Sequence, residues 1–143
     1  DPILKFVKSG RPFLGICVGM QILADFGEEF GHHAGLKLIP GKVDRFRNSP
    51  GYKIPQIGWN QLHKSDALWN QSILEETRPK SWVYFVHSYV FVPKEKKHIL
   101  ATTKYAGEVY CSVVKKGNIT GTQFHPEKSG LVGLTMLKHF LSE

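Results

Sequence analysis

The segment RPFLGICVGMQIL, residues 11–23, decides how the first part of this fold is interpreted. Residues 12–16 are apolar on both faces, which is typical of a short central parallel strand. From Val18 onward the spacing of apolar residues becomes helical and predicts a helix over residues 18–26. Between the two lies Gly15-Ile-Cys-Val-Gly19, a G-x-C-x-G sequence with the form of a nucleophile elbow that carries sulfur in place of oxygen.

Such an elbow has chemical consequences for Cys17. Flanking glycines permit the sharp, strained turn, and the turn presents the thiol at the carboxyl edge of a sheet. The backbone N–H of Val18 then points towards an oxyanion, and the helix start favours thiolate over thiol. A cysteine in an apolar run is often an inert core residue, so the elbow alone leaves both interpretations open.

Composition indicates one ordinary globular domain over residues 1–143, because 41% of the residues are apolar and 22% are charged. No apolar stretch approaches the roughly 18 residues of a membrane span, and the first residues do not have the pattern of a signal peptide. With only Cys17 and Cys111, we expect a reduced, cytoplasmic chain. The net charge of +7 comes from lysines in small clusters without interleaved aromatics. This pattern favours solvated loops, with a basic docking face as the alternative, and predicts neither nucleic-acid nor membrane binding.

The pattern of the remaining chain predicts an α/β domain with a mainly parallel central sheet. We expect helices over residues 3–8, 18–26 and 67–76, and a last helix after Ser129, which can cap it. Its expected buried side is formed by Leu131, Leu134, Met136, Leu137 and Phe140. Extended segments are expected over residues 12–16, 54–60, 82–92, 99–103, 109–114 and 119–124, with a polar loop over 27–35 and a hairpin turn over 116–118.

A second motif, His125-Pro126-Glu127, follows the last expected strand. A cysteine nucleophile needs an imidazole to take and return a proton, and the imidazole needs an acceptor on its other nitrogen. Because Pro126 disfavours helix at His125, the local chain is expected to be extended, with Glu127 on the same side as His125. Together with the elbow, this motif predicts a catalytic triad of Cys17, His125 and Glu127.

A metal site is a weaker alternative. The candidate ligands are His32, His33, Cys111, His125 and His139, and none has a metal-ligand spacing. We therefore expect no metal and no cofactor. Cys111 is predicted to be a core thiol, and His63 and His87 to be packed or surface histidines.

The two motifs together, residues 15–21 and 121–127, resemble those of class I (triad) glutamine amidotransferases. Within that family, Gly58-Trp-Asn60, His87-Ser-Tyr89 and Lys128-Ser129 resemble the glutaminase subunits of imidazole glycerol phosphate synthases, which serve histidine biosynthesis. The resemblance implies a three-layer, flavodoxin-like domain that hydrolyses glutamine to glutamate and ammonia. It also implies that Cys17 attacks the amide, His125 shuttles the proton, Glu127 orients His125, and the Val18 N–H binds the oxyanion.

The same resemblance implies roles beyond the triad. Gln21 and Tyr89 are expected to bind glutamine, and Trp59, Tyr89 and Lys128 to form the docking face and ammonia route. The implied partner is a (β/α)₈-barrel cyclase in a heterodimer. That cyclase uses the ammonia to make imidazole glycerol phosphate and an aminoimidazole carboxamide ribotide (AICAR).

One departure from the family pattern concerns the beginning of the chain. Family members start with a strand, a helix and a glycine-rich loop that supplies a second oxyanion N–H, whereas this sequence opens on the helix before the elbow. We therefore expect a domain lacking its first strands and an isolated chain that is weakly active or inactive, since losing one oxyanion donor costs roughly 100- to 1000-fold in rate.

Other functions stay open at the level of sequence. One is the glutaminase of another pathway, such as surface-sugar amidation, anthranilate synthesis or GMP synthesis. A second is a cysteine hydrolase of γ-glutamyl peptides, and a third is an inactive module that only binds a partner.

Overall fold

The computed structural model describes residues 1–29 and 31–143; residue 30, in the predicted 27–35 loop, lies outside them. The helices are α1 (Pro2–Lys8), α2 (Val18–Gln21) and α3 (Gly130–Leu141), and 3₁₀ turns span Lys96–His98 and Pro126–Lys128. The strands are β1 Phe13–Ile16, β2 Phe26–Gly27, β3 His33–Ala34, β4 Gly41–Arg45, β5 Gln56–Gln61, β6 His63–Lys64, β7 Trp82–His87, β8 Tyr89–Pro93, β9 Ile99–Tyr105, β10 Glu108–Lys116 and β11 Ile119–Thr122.

Within the described residues, nine strands form one sheet with the order β1-β11-β10-β8-β4-β2-β3, while β9 pairs with β10 and β6 with β9. The remaining strands, β5 and β7, form a separate antiparallel pair. β1 runs parallel to β11, with Phe13 opposite Ile119 and Ile16 opposite Thr122. Because the carboxyl ends of parallel neighbours meet at the same edge, the residues after Ile16 and Thr122 lie side by side. The α/β class is confirmed.

The expectation of a mainly parallel sheet is wrong. In the described part of the chain, parallel pairing is confined to β1 with β11 and β2 with β4. Parallel neighbours need a crossover of a dozen or more residues, and the second half of the chain uses short turns instead. The predicted hairpin is one of them: Lys116 pairs with Ile119 across a two-residue turn, and Gly117 has a φ of +58°.

The helix predicted over residues 18–26 ends at Gln21. The carbonyls of Ile22, Leu23 and Ala24 accept hydrogen bonds from the N–H groups of residues 36–39. Those carbonyls are therefore not available to continue the helix, and Phe26 pairs with Lys42 in the sheet. The predicted 27–35 loop correspondingly contains β3.

The surface helix predicted over residues 67–76 is absent, and these residues form turns. The Ser72 hydroxyl donates to the Trp69 carbonyl and accepts from the N–H of Leu74. Such side-chain bonds compete with the helical ladder. The segment also contributes Trp69, Ile73 and Leu74 to the core, so it is not a surface element.

The buried face of α3 is only partly as predicted. Met136 is fully buried, but Leu131 and Leu134 are 81% and 46% exposed. The helix turns Gly133 inwards, where an added Cβ would lie 1.9 Å from the carbonyl oxygen of Pro126. Gly133, Met136 and Phe140 share one face at helical spacing, so Leu131 and Leu134 fall outside it.

Two buried clusters form the core and fix the segments that follow β1 and β11. Met20, just after the elbow, belongs to the cluster with Phe91 and Val114, and Phe124, just before His125, belongs to the cluster with Phe85. Both side chains are fully buried. Among the helices of the described residues, none is long and apolar enough to cross a membrane.

Candidate active site

Cys17 lies at the end of β1 in a strained backbone conformation, with φ +56° and ψ −109°. Its N–H donates to the carbonyl of Thr122 at 2.7 Å, which ties the turn to the neighbouring strand. Its carbonyl accepts from the N–H groups of Met20 and Gln21 at 3.0 and 3.2 Å. The predicted elbow is confirmed.

The two glycines of the elbow differ in what they permit. A Cβ on Gly15 would lie 2.2 Å from the carbonyl oxygen of Gly19, so only glycine lets α2 pack this close to β1. A Cβ on Gly19 would meet no atom within 4 Å. The strained φ is taken by Cys17 itself, so the close approach at Gly15 is the part of the pattern that requires glycine.

The sulfur of Cys17 is half-buried and lies 3.7 Å from both the carbonyl oxygen of Val86 and the side-chain Nε2 of Gln123. Burial raises the pKa of the Cys17 thiol above its ordinary value, and the charges of Glu127 and Glu29 act in the same direction. The N–H of Val18 and the amide of Gln123 lower this pKa, but by less. The helix start thus favours the thiolate through the Val18 N–H, as expected, but burial outweighs it, so the thiol needs a base to react as an anion.

His125 and Glu127 form the predicted contact, with His125 Nδ1 3.0 Å from Glu127 Oε2. His125 has extended dihedrals, as expected, although a 3₁₀ turn begins at Pro126. Since Nδ1 is bound to the carboxylate, Nε2 is the ring nitrogen available to exchange a proton. The contact is confirmed, and the catalytic roles of Cys17, His125 and Glu127 stay predictions.

Ser129 fastens His125 to the neighbouring strand β7. The His125 N–H donates to the Tyr84 carbonyl, the Tyr84 N–H donates to Ser129 Oγ, and Ser129 Oγ donates to the His125 carbonyl, at 3.0, 3.0 and 2.6 Å. Ser129 precedes α3, but its side chain makes no capping hydrogen bond. The predicted capping role is wrong because the hydroxyl is used to hold His125.

A chain of amides joins Tyr89 to the sulfur. Gln21 Nε2 donates to the Tyr89 carbonyl at 3.2 Å and to Gln123 Oε1 at 3.1 Å. Gln123 is fully buried and in turn faces Cys17. The sequence analysis gave no role to Gln123; the available signal was an amide within a buried segment that leads directly to His125.

A cleft of about 370 Å³ opens beside the elbow. Its lining comprises Val18, Gln21, Ile22, Gly27, Glu29, His33, Ala34, Gly35 and Val43. Glu29 is a second residue that sequence reasoning missed, because the return of residues 33–43 alongside it is not visible in the local pattern. Tyr89 is not among the lining residues and its side chain packs against the core, so its part in glutamine binding stays a prediction.

The sequence matches a model of a known protein family. The model for "Glutamine amidotransferase class-I" matches residues 1–143. The chain belongs to the class I glutamine amidotransferase family.

Individual relatives agree with that placement. The amidotransferase is 47% identical to the "Imidazole glycerol phosphate synthase subunit HisH" of Syntrophotalea carbinolica over 98% of this chain and 68% of the relative. It is 45% identical to the protein of the same name from Synechococcus sp. (strain JA-3-3Ab), over 99% of this chain and 64% of the relative. The chain thus spans about two thirds of the length of these curated relatives.

Solved structures agree on the fold. A glutamine amidotransferase from Thermotoga maritima superposes with a TM-score of 0.64 at 22% identity, over 98% of this chain and 51% of that one. PurLQS from the same organism gives a TM-score of 0.69 at 20% identity, over 98% of this chain and 65% of that one.

The predicted docking residues of the amidotransferase occupy different environments. Trp59 is 53% exposed and packs edge-on against Tyr84, with ring centroids 6.0 Å apart. Lys128 is exposed in the 3₁₀ turn after His125, a segment that Tyr84 holds through its backbone. Tyr89 is only partly exposed. Tyr84 therefore connects the surroundings of Trp59 and Lys128, and their docking role stays a prediction.

The remaining candidate residues, Cys111 and His139, have contacts that indicate structural roles. Cys111 is buried, burial raises the pKa of its thiol, and it is confirmed as a core residue. His139 contacts Glu75 and Glu76 at 3.8 and 3.1 Å. No group of three or more histidine, cysteine or acidic side chains that could hold a metal ion occurs among residues 1–29 and 31–143.

Proposed function

We propose that this chain is the glutaminase subunit of an imidazole glycerol phosphate synthase. For the chemistry, the observation that carries the proposal is that Cys17 and the His125–Glu127 pair follow adjacent parallel strands in register. For the pathway, the support is the 45–47% identity, over nearly the whole chain, to proteins named as HisH subunits of that synthase. The pathway would then be histidine biosynthesis.

In the proposed reaction, the Cys17 sulfur attacks the side-chain carbonyl carbon of glutamine while His125 Nε2 accepts the thiol proton. The negative oxygen of the tetrahedral intermediate faces the N–H of Val18. His125 then returns the proton to the leaving nitrogen, and ammonia departs from a γ-glutamyl thioester. Water, deprotonated by His125, attacks the thioester and releases glutamate and the free thiol, with Glu127 holding the imidazole throughout.

The cleft beside Val18 suits an amino-acid substrate, because it adjoins the thiol and has polar groups on an otherwise apolar lining. Glu29 supplies a carboxylate for the α-ammonium group of glutamine. The amide nitrogen of Gln21 is used by the Tyr89 carbonyl and Gln123, so its oxygen is the atom offered to a substrate donor.

The proposed partner is a (β/α)₈-barrel cyclase that receives the ammonia in a heterodimer. A dry route between the two active sites keeps ammonia unprotonated and therefore nucleophilic. Trp59, Tyr89 and Lys128 are the proposed docking residues, and the exposed Trp59 has the character of an interface anchor.

The proposal is tested by glutamate release from glutamine, measured for this chain with and without the cyclase and its nucleotide ligand. A Cys17→Ala variant gives the background. Cys17-dependent release that rises when the cyclase is added is the expected result. Release that depends on Cys17 but never responds to the cyclase would contradict the pathway. No release in any mixture, including mixtures in which this chain is fused to the first strand, helix and glycine-rich loop of a relative, would contradict the glutaminase.

A further inference from the structure

Gln123 is a fully buried amide whose side-chain partners lie in the active site. Its Nε2 is 3.7 Å from Cys17 Sγ, and its Oε1 accepts from Gln21 Nε2 at 3.1 Å. Burying an amide is unfavourable unless it is hydrogen-bonded, and an apolar side chain would fill the same space without that cost. An amide at this position therefore indicates a requirement for its hydrogen bonds.

The direction of the Gln123 amide follows from the groups around it. The Tyr89 carbonyl can only accept, so the NH₂ group of Gln21 must face it. The second N–H of that NH₂ group then points to the oxygen of Gln123. The NH₂ group of Gln123 is left to face the sulfur of Cys17, which accepts the bond.

We propose that Gln123, held in this orientation by Gln21, donates a hydrogen bond to the Cys17 sulfur and stabilises its anion. The inference rests on Cys17 being the nucleophile of the proposed function, and adds a residue to the triad. In this assignment Gln123 contacts the reacting sulfur, and Gln21 is a positioning residue that holds the Gln123 amide in place.

The other groups around the sulfur make this bond important. The Val86 carbonyl at 3.7 Å can accept from the thiol but repels the anion, and the charges of Glu127 and Glu29 also oppose it. The Val18 N–H favours the anion, but during turnover it is needed by the substrate oxyanion. Gln123 is a neutral donor that stays with the sulfur before and after attack.

The test is the pH dependence of Cys17 alkylation by iodoacetamide, in which an S–C bond forms and iodide leaves. We expect Gln123→Met to move the midpoint to higher pH and to slow alkylation at about pH 8 roughly fivefold, as for loss of one hydrogen bond to a charged group. Gln123→Glu should move it further, because the carboxylate adds a negative charge beside the sulfur. Cys17→Ala gives the background from the buried Cys111.

Gln61→Met is the matched control, because the Gln61 amide donates to the Lys80 carbonyl instead. Gln61→Met should show the same pH midpoint of Cys17 alkylation as the protein without substitutions. An unchanged midpoint in both Gln123 variants, with melting curves like that of the unchanged protein, would overturn the proposal. No glutamine turnover is needed, so a chain that fails as a glutaminase still gives a decisive answer here.

A measurement on the unchanged protein covers the case in which the variants do not fold. The chain has five glutamines, so ¹⁵N-glutamine labelling gives few side-chain amide signals. The Gln123 amide signal should shift with the same midpoint as Cys17 alkylation, and this titration should vanish in Cys17→Ala. A Gln123 signal that is insensitive to the thiol would refute the bond.

Discussion

The imidazole of His125 has Nδ1 bound to the Glu127 carboxylate, so in the proposed reaction its proton transfer through Nε2 depends on Glu127. In Glu127→Gln the side chain keeps its size but loses its charge, and it can turn its NH₂ group instead of its oxygen towards Nδ1. We expect kcat for glutamine hydrolysis to fall by about 100-fold, with little change in KM, because the proposed role of Glu127 is to hold the imidazole and not to bind glutamine. Steady-state kinetics of the chain mixed with the proposed cyclase partner measure both constants.

The His139–Glu76 pair supplies the matched control for that variant. Its Nε2–Oε2 distance of 3.1 Å is close to that of His125 and Glu127, but it joins α3 to the turns at residues 70–76 and not to the elbow. Glu76→Gln should leave both kinetic constants unchanged. An equal loss in the two variants would mean that Glu127 acts through general stability and not through the imidazole.

A second prediction at the residue scale concerns His87 and acid stability. Burial lowers the pKa of His87 from its ordinary 6.5 to about 4, against a hydrogen bond to the Tyr89 carbonyl that raises it. As the pH falls below 6.5, the unfolded chain takes up this proton before the folded one does, so stability is full above 6.5 and is lost towards pH 4. We expect His87 to account for a drop of about 2 kcal/mol in the free energy of unfolding between about pH 7 and about pH 5.

Urea unfolding at both pH values, for the unchanged protein and His87→Gln, measures that contribution. The variant is expected to be less sensitive to acid, whatever its stability at neutral pH. Parallel pH dependences in the two proteins would show that His87 has the same pKa in the folded and the unfolded chain, and would contradict its lowered pKa.

At the scale of elements, the packing of α2 on β1 depends on Gly15. In Gly15→Ala, the Cβ would lie 2.2 Å from the Gly19 carbonyl oxygen, so the helix start must move. We expect a loss of more than about 2 kcal/mol in the free energy of unfolding, together with faulty placement of Cys17. Gly19→Ala, whose Cβ has open space, should be neutral or up to about 1 kcal/mol stabilising. Denaturant unfolding of the two variants makes the comparison, and equal effects would contradict the assignment of the close contact.

At the scale of the whole molecule, the sequence predicted what depends on short-range geometry. The elbow at Cys17, the His125–Glu127 contact and the 116–118 hairpin each involve residues within a few positions of one another. The end of α2 was not predictable, because residues 36–39 take the carbonyls of residues 22–24. Gln123 was missed for a similar reason, since its partner Cys17 is 106 positions away.

The proposed docking of a cyclase concerns the whole molecule, and two tryptophans on paired strands allow it to be tested. Trp59 and Trp82 are 53% and 54% exposed, but Trp59 packs on Tyr84, which also holds the segment leading from His125 to Lys128. If ammonia leaves near His125 for the cyclase, the interface should include Trp59, as an aromatic anchor next to the route.

Trp59→Ala is therefore expected to weaken cyclase binding about 30-fold, which corresponds to about 2 kcal/mol. Trp82→Ala removes a side chain of equal exposure opposite Gln61, two residues along β7 from Tyr84, and should change the affinity by less than about threefold. Isothermal titration of each variant with the cyclase gives the dissociation constants. If Trp82→Ala weakens binding while Trp59→Ala does not, Trp59 is not the anchor, and its assignment to the docking face is wrong.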